Sequence, residues 1–258
     1  MQNNIFSTLF VGQNLIKLTR VDSTNNFLKN LLSKSEPLPE GTVIMADDQF
    51  AGRGQQEGVW KAAPGKNLTF SLLLKPAFLS PAHQFLLNIM VSVAINQVLT
   101  RILGNDVKIK WPNDIYFQNK KLGGILIENN LTGNVIKTAV IGIGINVNQS
   151  SFEEDLADRA CSVFQILQKN VNLTSLLAEI CREIEGLYLA LRAGKHNNME
   201  QNYVNELYRL HTLAPYRKNN EVFEGMITGV TETGLLKMDI NGQTHQFNFK
   251  EIVFLNHS

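Results

Sequence analysis

Residues 107–148 hold four strand-like stretches with no helical pattern between them, and this block constrains the fold more than any other feature of the chain. "VKIKW" (107–111) alternates like a half-buried strand and is stopped by Pro112. "DIYF" and "GGILIEN" read as two further strands joined by the polar turn "QNKK". "VIKTAVIGIGINVN" (135–148) is an apolar strand carrying Gly142 and Gly144, and a glycine inside a strand often marks close approach of another group to the backbone. Strands that come in such a block are not the βαβ alternation of a parallel sheet. An α+β fold with a largely antiparallel or mixed sheet is the expectation.

The flanking sequence fits that frame. Leu15–Leu18 reads as a short strand, and "DSTNN" (22–26) supplies N-caps for a helix reaching about Leu32. "TVIMA" (42–46) and "NLTFSLLL" (67–74) are strands, with the glycine-rich stretch "QFAGRGQQEGVW" (49–60) between them. Ser80-Pro81 starts a helix whose apolar positions Phe85, Leu86, Ile89, Val93 and Leu99 follow helical spacing, and Gly104 sits where a C-cap glycine belongs. Residues 153 to about 210 are patterned as helix, and the amphipathic run "LTSLLAEICREIEGLYLALR" is expected to cover one face of the sheet. From Pro215 the character changes to short strands, two of them separated by Asn241-Gly242, a type I′ hairpin signal. The expected division is residues 1–213 and a small β-barrel-like unit, 214–258.

Composition removes several function classes. A 258-residue chain with 44% hydrophobic residues can bury a sizeable core, so disorder is not expected. Lys and Arg number 24 against 23 Asp and Glu, which leaves no electrostatic footprint for a nucleic-acid backbone. Cys161 and Cys181 lack CxxC spacing and a histidine cluster, as expected of reduced thiols in a cytoplasmic protein without a metal site of its own. The first fifteen residues lack a basic n-region and an unbroken apolar run, and no stretch approaches about 18 consecutive apolar residues, so no membrane association is expected.

Four segments can carry chemistry, and each has a plainer explanation. The glycines of "QFAGRGQQEGVW" expose backbone N–H groups and permit positive φ, Arg53 adds a forked cation suited to phosphate or carboxylate, and Trp60 offers a flat face. A surface turn with a solvated arginine accounts for the same composition. The loop is not a Walker A motif, because Gly65-Lys66 is followed by Asn67. In "KWPNDIYFQNKKLGGILIEN", Asp114 can accept a proton, orient an amine or hold Mg2+, and Lys121 can stabilise an anion. Pro-Asn-Asp is equally turn chemistry, and a Lys-Lys pair at a hairpin tip is ordinarily solvated. "GIGINVN" lacks the third glycine and the helix of a dinucleotide fingerprint. "DSTNN" can present hydroxyls and amides to a ligand or simply cap its helix.

Taken together, "DSTNN", "QFAGRGQQEGVW", "KWPND…KKLGGILIE" and "GIGINVN" resemble, in order and separation, the catalytic domain of the biotin protein ligases, also called biotin–[acetyl-CoA-carboxylase] ligases. The motifs span about residues 15 to 150, and the C-terminal β unit matches the family's layout. The resemblance implies a mixed sheet like that of class II aminoacyl-tRNA synthetases, followed by a small SH3-like β-barrel. It implies activation of biotin by ATP with Mg2+ to biotinyl-5′-adenylate, then transfer to a lysine of a biotin carboxyl carrier domain. It also makes a homodimer an expectation. Fewer than twenty-five residues precede "DSTNN", so the chain resembles the monofunctional type without an N-terminal DNA-binding domain, and no repressor function is expected.

Residue roles follow only from this resemblance. Ser23, Thr24 and Asn25 would meet the ureido end of biotin with Gln49. Arg53, Gly54 and Gln55 would wrap the carboxylate and the adenylate, and Lys121 would bridge the carboxylate and the α-phosphate. Gly124, Gly142 and Gly144 would let the ligand lie against strand backbone, and Trp60, Asn113 and Asn146 would serve the nucleotide together with Arg53 and Lys121. Asp114 would attract the acceptor amine, whose deprotonation at pH 7 costs roughly 4 to 5 kcal/mol. Arg53, Lys121 and Asp114 are thus the expected catalytic set. The chain departs from the family at Gln55, Gln56 and Glu57, where many relatives carry arginines or glycine, and this reduces the expected hold on the adenylate. A lipoate or octanoyl ligase, or a biotin-binding protein without catalysis, is the competing reading.

Overall fold

The computed structural model describes residues 6–34, 37–55 and 58–255. Seven strands form one mixed sheet: β1 (Leu15–Val21), β2 (Val43–Gln49), β3 (Leu68–Leu74), β4 (Val107–Lys110), β5 (Asp114–Phe117), β6 (Lys120–Thr132) and β7 (Val135–Ile145). Their order is β1-β2-β3-β7-β6-β5-β4. β1 and β2 are parallel and every other pairing in this sheet is antiparallel, so the uninterrupted strand block yields the mixed, mainly antiparallel sheet expected of it.

β3 is buried at all seven positions, which requires cover on both faces. On one face lies α1 (Thr24–Leu32), whose Leu28 packs with Ile44, Leu73 and Val140. On the other lies α2 (Phe85–Leu103), entered through a 3₁₀ turn at Pro81–His83 and ended at Gly104 with φ +87. By length and composition Pro81–Leu103 is apolar enough to cross a membrane, but 67% of its most apolar window is buried inside the protein, where it is the core helix.

The helical pattern after residue 153 resolves into α3 (Glu154–Ala157), α4 (Val163–Leu167), α5 (Leu173–Arg192) and α6 (Asn197–Asn205). The expectation that the amphipathic α5 covers the sheet is corrected: α5 packs on α2, and it is α2 that contacts β4, β5 and β6. α5 is an outer layer because α2 is apolar nearly all round and needs a partner on its far side. Glu185 of α5 is buried and accepts the backbone N–H groups of Leu9, Phe10 and Val11 at 2.7–2.9 Å, tying the N-terminal segment down.

A second, five-stranded antiparallel sheet follows: β8 (Leu213–Lys218), β9 (Glu221–Val230), β10 (Leu236–Ile240), β11 (Gln243–Phe247) and β12 (Val253–Phe254), in the order β11-β10-β9-β8-β12. Asn241 and Gly242 both adopt positive φ, +54 and +81, as the type I′ turn demands. The two sheets are bolted together at the "KWPND" segment. Trp111 Nε1 donates to the Gly234 carbonyl at 2.9 Å, and its ring meets Phe249 edge-on at 6.1 Å.

Candidate active site

A cavity of about 390 Å3 opens on the α1 side of the large sheet. Alternation along the strands builds its floor. Gly124 and Leu126 of β6 lie beside Gly144 and Gly142 of β7, and all four line it. The two β7 glycines have a steric reason to be glycine. A Cβ on Gly142 would stand 2.5 Å from Asn25 Oδ1, and one on Gly144 would run into the Trp60 indole. The site therefore uses Gly142 and Gly144 to seat its own side chains against the sheet.

One end of the cavity is neutral and densely hydrogen-bonded. Thr24 donates its backbone N–H to Gln49 Oε1 at 2.9 Å, and its hydroxyl reaches the same oxygen at 3.2 Å. Ser71 Oγ donates toward Asn25 Oδ1 at 2.6 Å and lies 2.7 Å from Thr24 Oγ1. Ser23 occupies the N-cap position of α1 without making a side-chain cap bond, so capping is not what its hydroxyl does. Ser23, Thr24 and Asn25 are all buried, and Ser71, which the motif reading missed, is fully so.

The other end is charged. Lys121 Nζ and Asp114 Oδ1 are 2.7 Å apart, and both sit over Gly124. Asp114 is positioned by the turn before it: the Pro112 carbonyl accepts from Asn88 Nδ2 of α2 at 2.6 Å and from Tyr203 Oη of α6 at 2.7 Å. Asn113 lines the cavity and donates its side-chain amide to the Ile125 carbonyl. Lys121 is fixed through its backbone, which pairs with Arg159 and Cys161. Among the described lining residues, Arg53, Lys110, Lys121 and Lys250 are cationic and Asp114 alone is anionic, an arrangement that favours an anionic ligand.

Two features of this end lie outside the sequence motifs' assigned roles. Lys110 donates to the Tyr116 hydroxyl at 2.9 Å and lies over the Tyr116 and Phe254 rings at 4.6 and 4.9 Å. Burial pushes its ammonium down to about 8, with Lys121 and Arg209 adding to the shift and Asp114 opposing it. The second feature is the C-terminal wall: Phe249, Lys250, Ile252, Val253 and Phe254 line the same cavity. No motif spacing points to that segment, because only the packing of one sheet on the other brings it there.

The glycine-rich stretch forms a small hairpin across the mouth. Arg53 bridges Val59, Trp60 N–H donates to the Gly52 carbonyl at 3.0 Å, and Gly54 N–H donates to the Gly58 carbonyl at 2.5 Å. Gln55 lines the cavity. Gln56 and Glu57 lie outside the described residues. The Trp60 indole N–H is buried and has no hydrogen-bond partner among the described residues. Arg53 Nη2 is 2.7 Å from Glu128 Oε2, an acidic partner that the motifs did not single out.

Of the residues expected from the sequence, Ser23, Thr24, Asn25, Gln49, Arg53, Gly54, Gln55, Trp60, Asn113, Asp114, Lys121, Gly124, Gly142 and Gly144 converge on this one cavity. Asn146 does not line it. Its side-chain amide is turned to the Cys161 carbonyl at 3.1 Å, where it holds the segment beside Lys121.

Comparison with known proteins identifies the family. The family model for the biotin/lipoate A/B protein ligases matches residues 18–146. The bifunctional ligase/repressor BirA of Bacillus subtilis is 31% identical over 91% of this chain and 72% of its own length. The biotin–[acetyl-CoA-carboxylase] ligase of Paracoccus denitrificans is 32% identical over half of this chain and 53% of its own. A solved biotin protein ligase from Aquifex aeolicus, in complex with biotin and ATP, superposes with a TM-score of 0.79 at 26% identity, covering 95% of this chain and all of that one. The chain belongs to the biotin/lipoate A/B protein ligase family, among its biotin protein ligases.

Proposed function

We propose that this chain activates biotin with ATP and transfers it to a lysine of a biotin carboxyl carrier domain, and that both steps run in the cavity described. The observation that carries the reading is the cavity's division into a neutral, hydrogen-bonding end and a cationic end over an apolar floor. Biotin has the same division: a neutral ureido ring offering two N–H groups and one carbonyl, an aliphatic arm and a carboxylate. The ring belongs at Ser23, Thr24, Asn25 and Gln49, and the carboxylate points toward Lys121.

In the first step a carboxylate oxygen attacks the α-phosphorus of ATP and pyrophosphate departs. Two anions must meet, so Lys121, and Arg53 once it turns inward, act by offsetting the charge that builds between them. ATP is taken as its magnesium complex, since Mg2+ is ordinarily held by phosphates and waters with only one or two protein carboxylates. Trp60 and Asn113 flank the nucleotide, and Asn146 acts on it through the segment it holds. In the second step the acceptor amine attacks the acyl carbon and AMP leaves. Asp114 attracts that amine as the ammonium and orients it after deprotonation.

The reaction is assigned to the cytoplasm. Cys161 and Cys181 are buried and unpaired, with burial pushing their thiols up to about 11 and about 12, so neither is poised for disulfide exchange. The outer edge of β1 has no partner strand among the described residues, and a homodimer formed along it is the assembly we expect. Light scattering across a concentration series tests that assembly.

The test of function is biotin-dependent ATP–pyrophosphate exchange followed by labelling of a purified carrier domain. Exchange with lipoate but not biotin, or biotin binding without exchange, overturns the reading.

A further inference from the structure

We propose that Lys110 is the base of the second step, taking the proton that the carrier's lysine must lose before its amine can attack the biotinyl-adenylate. The proposal rests on the proposed function and adds a residue to it. Lys110 is the last residue of β4 and lies directly opposite Asp114, the first of β5. Opposed residues of an antiparallel pair share a face, with Cβ atoms about 5 Å apart, and both of these residues line the cavity. An amine drawn to Asp114 therefore arrives beside Lys110.

The surroundings of Lys110 favour a free amine. Lys108, two residues earlier on the same strand, has Glu206 at 2.7 Å. Among the described residues no carboxylate forms an ion pair with Lys110, and Asp114 is committed instead to Lys121 at 2.7 Å. Its contacts are the Tyr116 hydroxyl at 2.9 Å and the Tyr116 and Phe254 rings. The titratable and charged groups facing it are Asp114 and Tyr116 of β5, Lys121 of β6, Arg209, and Tyr208 behind Tyr116. Burial above all, with the Lys121 and Arg209 charges, favours loss of its proton, and Asp114 opposes them. Burial also pushes the Tyr116 phenol up, so that group stays neutral and adds no anion. The outcome is an amine that titrates near 8 rather than 10.5. An ordinary carboxylate, near 3.9, is a far weaker base for an ammonium near 10.4.

In the step itself, the carrier ammonium gives one proton to Lys110 Nζ while Asp114 orients it. The amine then attacks the acyl carbon, and the C–N bond forms as the acyl C–O bond to the phosphate breaks. AMP leaves with that electron pair and takes the second proton from the nitrogen. Lys110 returns its proton to solvent.

The test is transfer from chemically supplied biotinyl-adenylate to a purified carrier domain, followed from about pH 6 to about pH 10, with pyrophosphate exchange measured on the same full-length protein. Wild-type transfer should rise with pH and bend near 8, where Lys110 becomes a free amine. Lys110→Arg keeps the cation and removes the titration. Its transfer at pH 8 should fall about a hundredfold and lose the bend, and the deficit should shrink toward pH 10, where the carrier amine loses its proton unaided. Exchange needs no proton from the carrier and should fall by less than about fivefold in this variant, which retains the positive charge. Lys110→Met should lose the same bend, which shows that the bulk of arginine is not the cause. An unchanged pH profile in Lys110→Arg overturns the proposal. So does an equal loss in exchange and transfer, which would make Lys110 a cation for the reacting anions only. Biotin found on Lys110 itself by mass spectrometry would make it a nucleophile and overturn the proposal too. A wild type that neither exchanges pyrophosphate nor transfers the supplied adenylate overturns the proposed function, and this inference with it.

Discussion

The two loops that bring charge to the cavity are held in opposite ways. The "KWPND" turn is gripped from outside: Asn88 and Tyr203 both donate to the Pro112 carbonyl, and Trp111 is bonded to the other sheet. Its donors are buried, so Asp114 arrives at a fixed place. The glycine-rich loop is tied at its two ends, where Phe50 and Ala51 donate backbone N–H groups to Val21 and Asp22 and the Trp60 indole lies against Gly144. Between them Gly54 bonds Gly58, and Arg53 reaches the sheet through an ion pair, its side chain 39% exposed. The first design fixes Asp114, the group proposed to orient an incoming amine. The second leaves a cation free to move with the ligand, which a lid requires. The lesson is that a rigid and a yielding wall can face each other across one cavity when their hydrogen bonds are drawn from different places.

Substitutions should divide along that line. The largest effect is expected at Lys121→Ala, which removes the cation proposed to meet both reacting anions; biotin-dependent pyrophosphate exchange should drop about a thousandfold. Near-normal exchange would remove Lys121 from the chemistry. Asp114→Ala should slow transfer from preformed adenylate to carrier by about a hundredfold while biotin affinity, read by calorimetry, changes little. Tyr203→Phe leaves a buried carbonyl with one donor fewer, and should lower unfolding free energy by about 1 kcal/mol in urea titration. A change at the glycine-rich loop should act differently. Gln55→Arg is expected to slow adenylate release about threefold without moving the melting temperature; a matching stability change would erase the contrast between the loops.

The smallest expected effect concerns Lys110 and pH. Its folded-state value, about 8, lies below its ordinary 10.5, so the unfolded chain binds more protons between those values and stability rises with pH across that window. The penalty of holding it charged is fully present below pH 8. Lys110→Met should therefore raise the melting temperature by about 2 °C at pH 7, and the gain should shrink toward pH 10. A gain that is flat with pH would place the effect in packing.

Much of this architecture is legible in the sequence, because it is set locally. The Asn241-Gly242 turn, the Pro81 start and the Gly104 stop each follow from the conformations those residues permit. The motif residues could be gathered into one site from the resemblance of four separated segments. What could not be read depends on distance along the chain. Glu128 meets Arg53, Lys29 and Asn25 across 75, 99 and 103 positions, and a lone glutamate in a strand carries no local mark of such partners. The same holds for α5, whose amphipathic pattern announces a buried face but not that the face belongs to α2 rather than the sheet. Asn146 is the converse: its motif is recognisable, yet its amide serves the protein's own backbone.

Phe249, Lys250, Ile252, Val253 and Phe254 form part of the cavity's wall, so this stretch of the second sheet's segment is also a piece of the candidate active site. For anyone handling the protein this makes residues 249–254 a poor place for an insertion or a tag, since a load there pulls on the Phe254 ring, over which Lys110 lies. The tip at Asn241-Gly242 is the better attachment point. Among the described residues nothing lies within 4 Å of an added Cβ at Gly242, and Gly242 is not part of the cavity wall.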